Sequence, residues 1–424
     1  MLRISSPRSG DDIVREARRL AGPSFPPGEE ALLDLCDRWS RAIPHSPASR
    51  VPGAVFLGMW LRRGAMESIL RRELFPEGRG AGWSPEGGGW VRPQGVGIVG
   101  HWPAANIEIM PLVSMVCALI GGNRALVRIP PSLAAAVESL LAVLNGVDLE
   151  GVMAARSVLL SFASDAQTMH EAMARCCDGA LIWGGEESVR SVRALPFPVW
   201  ARLQLFGPRV SVAMIDAASW RDPGERAAWA TRLARDVWQF DQGACSSPQI
   251  LFAERSTVDG GALLDALARA LAEENRLHPR QAIEASLASA IVQARAACLL
   301  GDVANSARFP ESPDYTVLAF AGPELPRVTQ GRCLNVVWVD DLMQAVERLD
   351  GSFQTIGIAV QGGERERLIA ERAASRGVDR IVRLGSMHLF DSPWDGMRLV
   401  APMVRFVKYL PSASVSMQSG GVDP

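Results

Sequence analysis

Residues 239–249 read Gln-Phe-Asp-Gln-Gly-Ala-Cys-Ser-Ser-Pro-Gln, a small, polar, glycine-containing stretch that sets Cys245 between two regular elements. A helix-like run, Glu225 to Trp238, precedes it and a strand-like run, Ile250 to Ala253, follows. Functional groups gather on loops of this kind, so Cys245 reads as a reactive thiol. Cys117, inside the apolar run Leu112 to Ile120, and Cys298, beside Leu299 and Leu300, read instead as small core residues, and the neighbours Cys176 and Cys177 as inert.

Outward from the loop, short apolar runs alternate with amphipathic ones. On the N-terminal side Gly95 to Gly100, Ala125 to Ile129, Val158 to Phe162, Ala180 to Trp183 and Val210 to Ile215 read as strands, with helices over Leu133 to Leu144, Ala166 to Cys176 and Glu187 to Ala194. On the C-terminal side the strands are Ile250 to Ala253, Thr316 to Phe320, Asn335 to Val339, Ile356 to Val360 and Arg380 to Leu384. The helices there are Ala262 to Glu273, Gln281 to Leu299, Leu342 to Leu349 and Glu364 to Ser375. Such alternation predicts an α/β protein with two doubly wound parallel-sheet domains hinged close to residue 238. The expected boundaries are 1–94 for N-terminal helices and a Gly/Pro/Trp-rich connector (Pro76 to Pro93), 95–238 and 239–398 for the two domains, and 399–424 for a tail.

Composition narrows the class. With 424 residues, 48% of them hydrophobic, the chain can bury two cores, and a net charge of -2 with no basic stripe gives no reason to expect nucleic acid. Seven cysteines without a CxxC or a zinc-type Cys/His spacing point to a reducing cytoplasm and to no metal. The N-terminal twenty residues lack the apolar core of a signal peptide, and no window approaches the ~18 apolar residues of a membrane span. Lysine occurs once, as Lys408, which excludes a P-loop kinase or a pyridoxal enzyme with a lysine in its site.

Asp241 to Gln249, DQGACSSPQ, resembles the nucleophile loop of the aldehyde dehydrogenase superfamily. Within it the same stretch resembles the fatty acyl-CoA reductases of the bacterial-luminescence type. Echoes in the superfamily's order run from about Gly95 to about Gly396. The resemblance implies an aldehyde dehydrogenase-like fold in which 95–238 binds the nicotinamide cofactor, 1–94 packs on it, 239–398 is catalytic, and extended segments form a small oligomerisation element. A homo-oligomer is implied as well.

The same resemblance assigns candidate residues one by one. Gly97 to Ser132 is similar to the first cofactor-binding unit, which makes Asn106 an oxyanion-hole donor or, equally, an ordinary helix N-cap. Arg128 stands where a lysine usually touches the adenosine ribose. An arginine there suits a 2′-phosphate, favouring NADPH with NADH as the alternative, or is simply a solvated strand-end residue. Gly184 and Gly185, in LIWGGEE, match the turn near the cofactor pyrophosphate. Gln204, in LQLFG, occupies the place of the general-base glutamate; unable to take a proton from water, it favours thioester reduction over acid formation. In GSMHLFDSPWDG, Trp394 is a candidate for lining an acyl channel, and His388 is either a proton carrier or a structural histidine. Glu324 is the candidate for holding the nicotinamide ribose.

These assignments imply an acyl-CoA reductase in which Cys245 forms an acyl-enzyme that is reduced to an aldehyde. Two rivals stay open: an aldehyde dehydrogenase producing free acid, and a catalytically silent acyl-binding subunit. The implied substrate is acyl-CoA or a carrier-protein thioester, delivered by an acyl-transferring partner in one version. Acyl length is left open.

Overall fold

Apolar runs bounded by glycine and proline become strands in the computed structural model, which describes residues 1–75, 81–280, 282–301, 305–321 and 324–411. The chain divides into two units, one of residues 1–207 plus those from 390 onward, the other of residues 208–389.

The first unit contains β1 (Ile4–Ser5), β2 (Ser84–Glu86), β3 (Gly89–Gly95), β4 (Ile98–Trp102), β5 (Arg124–Ile129), β6 (Ser157–Ser161), β7 (Gly179–Trp183) and β8 (Arg202–Phe206). Six of these form a parallel sheet in the order β1-β6-β5-β4-β7-β8. From β4 the chain steps outward through β5 and β6, then returns to place β7 on the other side of β4. The order therefore reverses between β4 and β7, and in doubly wound sheets ligands bind in the crevice beyond the carboxyl ends of such a pair.

Helix Met110–Ile120 joins β4 to β5 and is apolar on every side; residues 111–120 are all buried. Its exit explains the Gly-Gly-Asn that follows. Gly122 has φ +82°, and a Cβ there would stand 2.1 Å from the Phe25 carbonyl oxygen. Asn123 then pins the turn, donating to Ala118 O and Met403 O at 3.0 Å each. Gly122→Ala is expected to cost about 2–4 kcal/mol, since strain and a backbone clash add. Gly146→Ala, in helix Ala134–Val147 with no atom within 4 Å of the new Cβ, should instead gain about 0.5–1 kcal/mol. Urea unfolding midpoints compare the two, and equal shifts would count against this account.

A second, three-stranded antiparallel sheet joins β2, β3 and the C-terminal strand Val404–Tyr409. The approach to that last strand is fixed by Glu73, at the end of helix Arg63–Glu73. Its buried carboxylate accepts the N–H groups of Leu399, Val400 and Ala401 at 2.8–2.9 Å and the Ser392 hydroxyl.

The second unit holds β9 (Val210–Ile215), β10 (Pro248–Glu254), β11 (Ser306–Arg308), β12 (Thr316–Phe320), β13 (Cys333–Val339), β14 (Phe353–Ala359) and β15 (Arg380–Arg383). Their order is β11-β12-β13-β10-β9-β14-β15, parallel throughout except for the edge strand β11. Helices Pro223–Trp238 and Gly260–Leu277 bury Leu233, Val237, Leu263 and Leu267 on one face. Helices Leu342–Val346 and Gly363–Ser375 bury Leu342, Val346 and Ile369 on the other. Helices on both faces of a parallel sheet define a doubly wound architecture.

Several expectations need correction. The boundary falls at 207/208 and not near 238, because Val210–Ile215 pairs with β10 and β14 and so belongs to the second sheet. The second boundary is at 389/390 instead of 398, which places Trp394 in the first unit. The 399–424 segment is more than a tail, since residues 404–409 complete an antiparallel sheet; residues 412–424 lie outside the described residues. The N-terminal 94 residues supply β1, which adds to β6, as well as helices. Part of the Pro76 to Pro93 connector, residues 76–80, and Gln281, the expected start of a helix observed from Ala285, are also outside the described residues.

Candidate active site

The loop carrying Cys245 owes its shape to backbone conformations that its composition does not announce. After helix Pro223–Trp238, the three successive residues Phe240, Asp241 and Gln242 take left-handed φ values of 55°, 49° and 62°, whereas Gly243 is at -85°. The unusual conformation thus rests on non-glycine residues, each costing on the order of 1 kcal/mol or more, and persists only where the surroundings over-determine it.

Those surroundings are polar and local to the second unit. The buried Gln242 side chain donates to Pro248 O at 2.8 Å and Cys333 O at 3.2 Å, and accepts the Cys333 N–H at 2.7 Å. Arg332 donates to Asp241 at 2.6 Å and to Asn275 at 2.7 Å, with Arg280 at 3.5 Å from the same aspartate. The Ser211 hydroxyl of β9 donates to the Cys245 carbonyl at 2.6 Å. Cys245 is presented half-buried at the head of β10, and none of the seven cysteines is in a disulfide. Burial pushes the Cys333 thiol up to about 12, and it raises the pKa of Cys117 and Cys298, expected as core residues, and of Cys177, expected as inert.

His388 is brought to this loop. It is fully buried, its Nε2 lies 2.7 Å from the Asp236 carbonyl and its Nδ1 3.0 Å from Ser246 Oγ. A carbonyl only accepts, so Nε2 carries the hydrogen and the bare Nδ1 accepts the Ser246 hydroxyl. Burial lowers its pKa to about 4, helped by Arg380, so the ring is neutral at pH 7. With both nitrogens engaged and the ring buried, His388 has the surroundings expected under the structural-histidine alternative. Asp236, in the last turn of helix Pro223–Trp238, accepts the Gly385 N–H at 2.6 Å and the Met387 N–H at 3.3 Å.

In the first unit, Arg128 ends β5 buried and not solvated; its guanidinium lies 5.6 Å from the Phe162 ring centroid and its Nε has no hydrogen-bond partner among the described residues. Gly184 and Gly185 follow β7, with Gly185 capping helix Glu186–Arg193, and no atom of the described residues outside its immediate chain neighbours lies within 4 Å of a Cβ placed on Gly185. Beside them Trp183 and Phe206 stack at 3.5 Å and 3°. These groups sit at the carboxyl ends of β5, β7 and β8. Asn106 lies in an exposed turn, three residues before the Ile109 cap of helix Met110–Ile120, so the N-cap reading does not hold.

Gln204, on β8, donates to the Met397 sulfur. Trp394 is buried against Phe390, at the start of a two-residue hairpin turn whose central Asp395 and Gly396 both have positive φ (49° and 69°). Glu324 is exposed after β12, next to Gly322 and Pro323, which lie outside the described residues. Among the described residues no group of three metal-ligating side chains occurs, and no helix is long and apolar enough to cross a membrane.

A cleft of about 580 Å³ lies between helices Leu342–Val346 and Gly363–Ser375. The arginines lining it are spoken for: Arg365 pairs with Glu254, Asp216 and Asp341, and Arg372 with Glu347.

Ser246, Gln242, Asp236, Arg332 and Ser211 support the loop without having been singled out in the sequence. One of them carries a usable signal. An acid in the last turn of a helix opposes the helix dipole, so Asp236 is out of place unless something recruits it.

Two doubly wound parallel sheets, with the Cys245 loop entering the second, define the aldehyde dehydrogenase fold class. An NAD-dependent aldehyde dehydrogenase from Sinorhizobium meliloti is similar over 97% of this chain and 89% of that one, with a TM-score of 0.66 and 14% identity. Proline utilization A from Bradyrhizobium japonicum matches over 96% of this chain with a TM-score of 0.67 and 14% identity, and this chain spans 46% of it. The family profile described as acyl-CoA reductase (LuxC) matches residues 32–406, and the chain belongs to that family of oxidoreductases. Relatives include long-chain acyl-protein thioester reductase 2 of Photobacterium leiognathi, 23% identical over 77% of this chain, and the Vibrio harveyi long-chain acyl-protein thioester reductase, 24% identical over 87%. The chain spans 66% of the length of the first and 76% of the second.

Proposed function

We propose that this protein reduces a long-chain acyl thioester to an aldehyde through an acyl-enzyme on Cys245. The observation carrying this reading is the over-determined loop that presents one half-buried thiol at the head of β10, in a chain of the acyl-CoA reductase family. The Cys245 thiolate attacks the acyl carbonyl, a new C–S bond forms, and the bond to the carrier thiol breaks as that thiol leaves. A reduced nicotinamide cofactor, when bound, supplies the hydride that converts the Cys245 thioester into a hemithioacetal. Cleavage of its C–S bond releases the aldehyde and returns the thiolate.

The chain's own residues fit such a cofactor. At the sheet edge beside the β4/β7 switch point, Gly185 leaves open space for a pyrophosphate, and the buried Arg128 has an Nε without a partner among the described residues. We read Arg128 as selecting NADPH over NADH through the 2′-phosphate. Arg128→Ala should then raise KM for NADPH on the order of tenfold or more and change that for NADH far less. Equal effects on both would remove the assignment. Asn106 is read as an oxyanion donor and Trp394 and Gln204 as substrate-side residues. Gln204, bonded to a thioether and unable to act as a base, favours reduction over release of free acid.

The names of the relatives put the acyl group on a protein, so the carrier is read as a protein thioester made by an acyl-transferring partner, with coenzyme A thioesters as the second choice. The deciding experiment offers a panel of acyl chains, on carrier protein and on coenzyme A, with NADPH and NADH separately, and measures aldehyde formed. Acid formed from aldehyde without any thiol carrier would favour the dehydrogenase alternative. Acyl adduct on Cys245 without turnover would favour the silent subunit.

A further inference from the structure

We propose that Asp236 is a positioning residue for the nucleophile, acting through the 385–388 loop and His388 on Ser246; this rests on the reading of Cys245 as the nucleophile. The chain of contacts is continuous and lies within the second unit. The Asp236 carboxylate takes the N–H groups of Gly385 and Met387, and the backbone carbonyl of the same residue takes His388 Nε2 at 2.7 Å. His388 Nδ1 accepts the hydroxyl of Ser246, bonded directly to Cys245, and the Phe240 ring meets the imidazole edge-on at 5.6 Å. Asp236 thus grips the histidine from both its side chain and its main chain, and the histidine holds the peptide that follows the reactive sulfur.

Folding alone gives little reason for this residue. A carboxyl that is 3% exposed, at the negative end of a helix dipole, is disfavoured twice over. Burial pushes its pKa up to about 7, against the opposing pull of the two N–H groups and of Arg380 on β15. Other charged groups on the elements packed around it are engaged elsewhere: Glu274 of helix Gly260–Leu277 pairs with Arg235, Asp241 pairs with Arg332, His388 is neutral, and Arg232, whose stem packs on Gly385, and Arg383 of β15 both lie over the Trp229 ring. Loss of the proton strengthens the carboxylate as an acceptor and tightens the grip on Gly385 and Met387. Gain of the proton loosens it.

The consequence concerns acyl transfer more than the thiol itself. Attack on an acyl carbonyl needs loop N–H groups aimed at the developing oxyanion, whereas alkylation of a thiolate needs none. Both need the thiolate, so the ratio of Cys245 acylation by p-nitrophenyl acetate to its alkylation by iodoacetamide cancels thiol ionisation and reports loop geometry. Intact mass follows both adducts. The wild-type ratio should fall as pH drops through about 7. Asp236→Asn should lower it on the order of tenfold at pH 8, the size expected for hydrogen bonds to a charged group, and abolish its pH dependence. Ser246→Ala, which cuts the chain at its far end and leaves the buried carboxyl untouched, should do the same and carries the test if Asp236→Asn fails to fold. Folded variants that keep the wild-type ratio and its pH limb would overturn the proposal. Because the ester is not a thioester, wild-type acylation by it with no reaction of long-chain acyl thioesters would fault the substrate reading alone.

Discussion

Cys245→Ala is expected to abolish acyl-thioester-dependent nicotinamide oxidation, by at least about a thousandfold, while leaving the fold in place. Four supports of the loop act through other groups: the Cys245 carbonyl, the Gln242 amide, the Asp241 carboxylate and the Ser246 hydroxyl. Truncation therefore removes the attacking atom from a site that keeps its shape. Cys245→Ser should fare nearly as badly, because a hydroxyl lacks the acidity that lets a thiol ionise near neutral pH. Circular dichroism should show both variants folded, and intact mass after exposure to acyl thioester should show no adduct. Undiminished oxidation in either variant would exclude the acyl-enzyme mechanism.

Gln242→Ala is expected to lower stability by about 3–5 kcal/mol, a large effect for one side chain on a loop. Three buried hydrogen bonds go with the amide, and Cys333 N–H, Cys333 O and Pro248 O lose a partner away from water. The left-handed backbone at 240–242 also loses a contact that holds it, so acylation of Cys245 should fall even at temperatures where the variant is folded. Gln242→Glu separates the two donor bonds from the acceptor. It can still receive the Cys333 N–H but no longer donates, and should lie between wild type and alanine. Urea unfolding with acylation rates measured side by side checks both parts; a loss below about 0.5 kcal/mol would mean the amide is not the clamp.

Much of the sheet architecture is legible in the chain because parallel strands buried on both faces are continuous apolar runs. Ala125 to Ile129 and Thr316 to Phe320 are of this kind, and each appears within a residue of its expected place. Sheet membership is another matter. Val210 to Ile215 announces a strand but not its neighbours, and its register with Ile250 and Ile356 moves the boundary by some thirty residues. The antiparallel sheet escapes notice since Gly89–Gly95 contains a proline and a glutamine and Val404–Tyr409 carries Arg405 and Lys408. At the site, the cysteine is conspicuous while its support is not. Gln242 reaches Cys333 across 91 positions, and nothing in Phe-Asp-Gln spells three consecutive left-handed residues. His388 stands out as a histidine near the loop, yet only the positions of Asp236 and Ser246 distinguish a brace from a proton shuttle.

The way Glu73 holds residues 399–401 has a consequence for how the polypeptide is born. On the ribosome, the carboxylate emerges more than three hundred residues ahead of the amides that satisfy it, and β3 likewise waits for residues 404–409. The stretch 208–389 is contiguous and can complete its sheet while translation continues, whereas the half begun first must finish last. Premature termination anywhere before residue 392 therefore leaves an unsatisfied acid and an open sheet edge, the kind of exposed surface that chaperones and proteases recognise in unfinished chains.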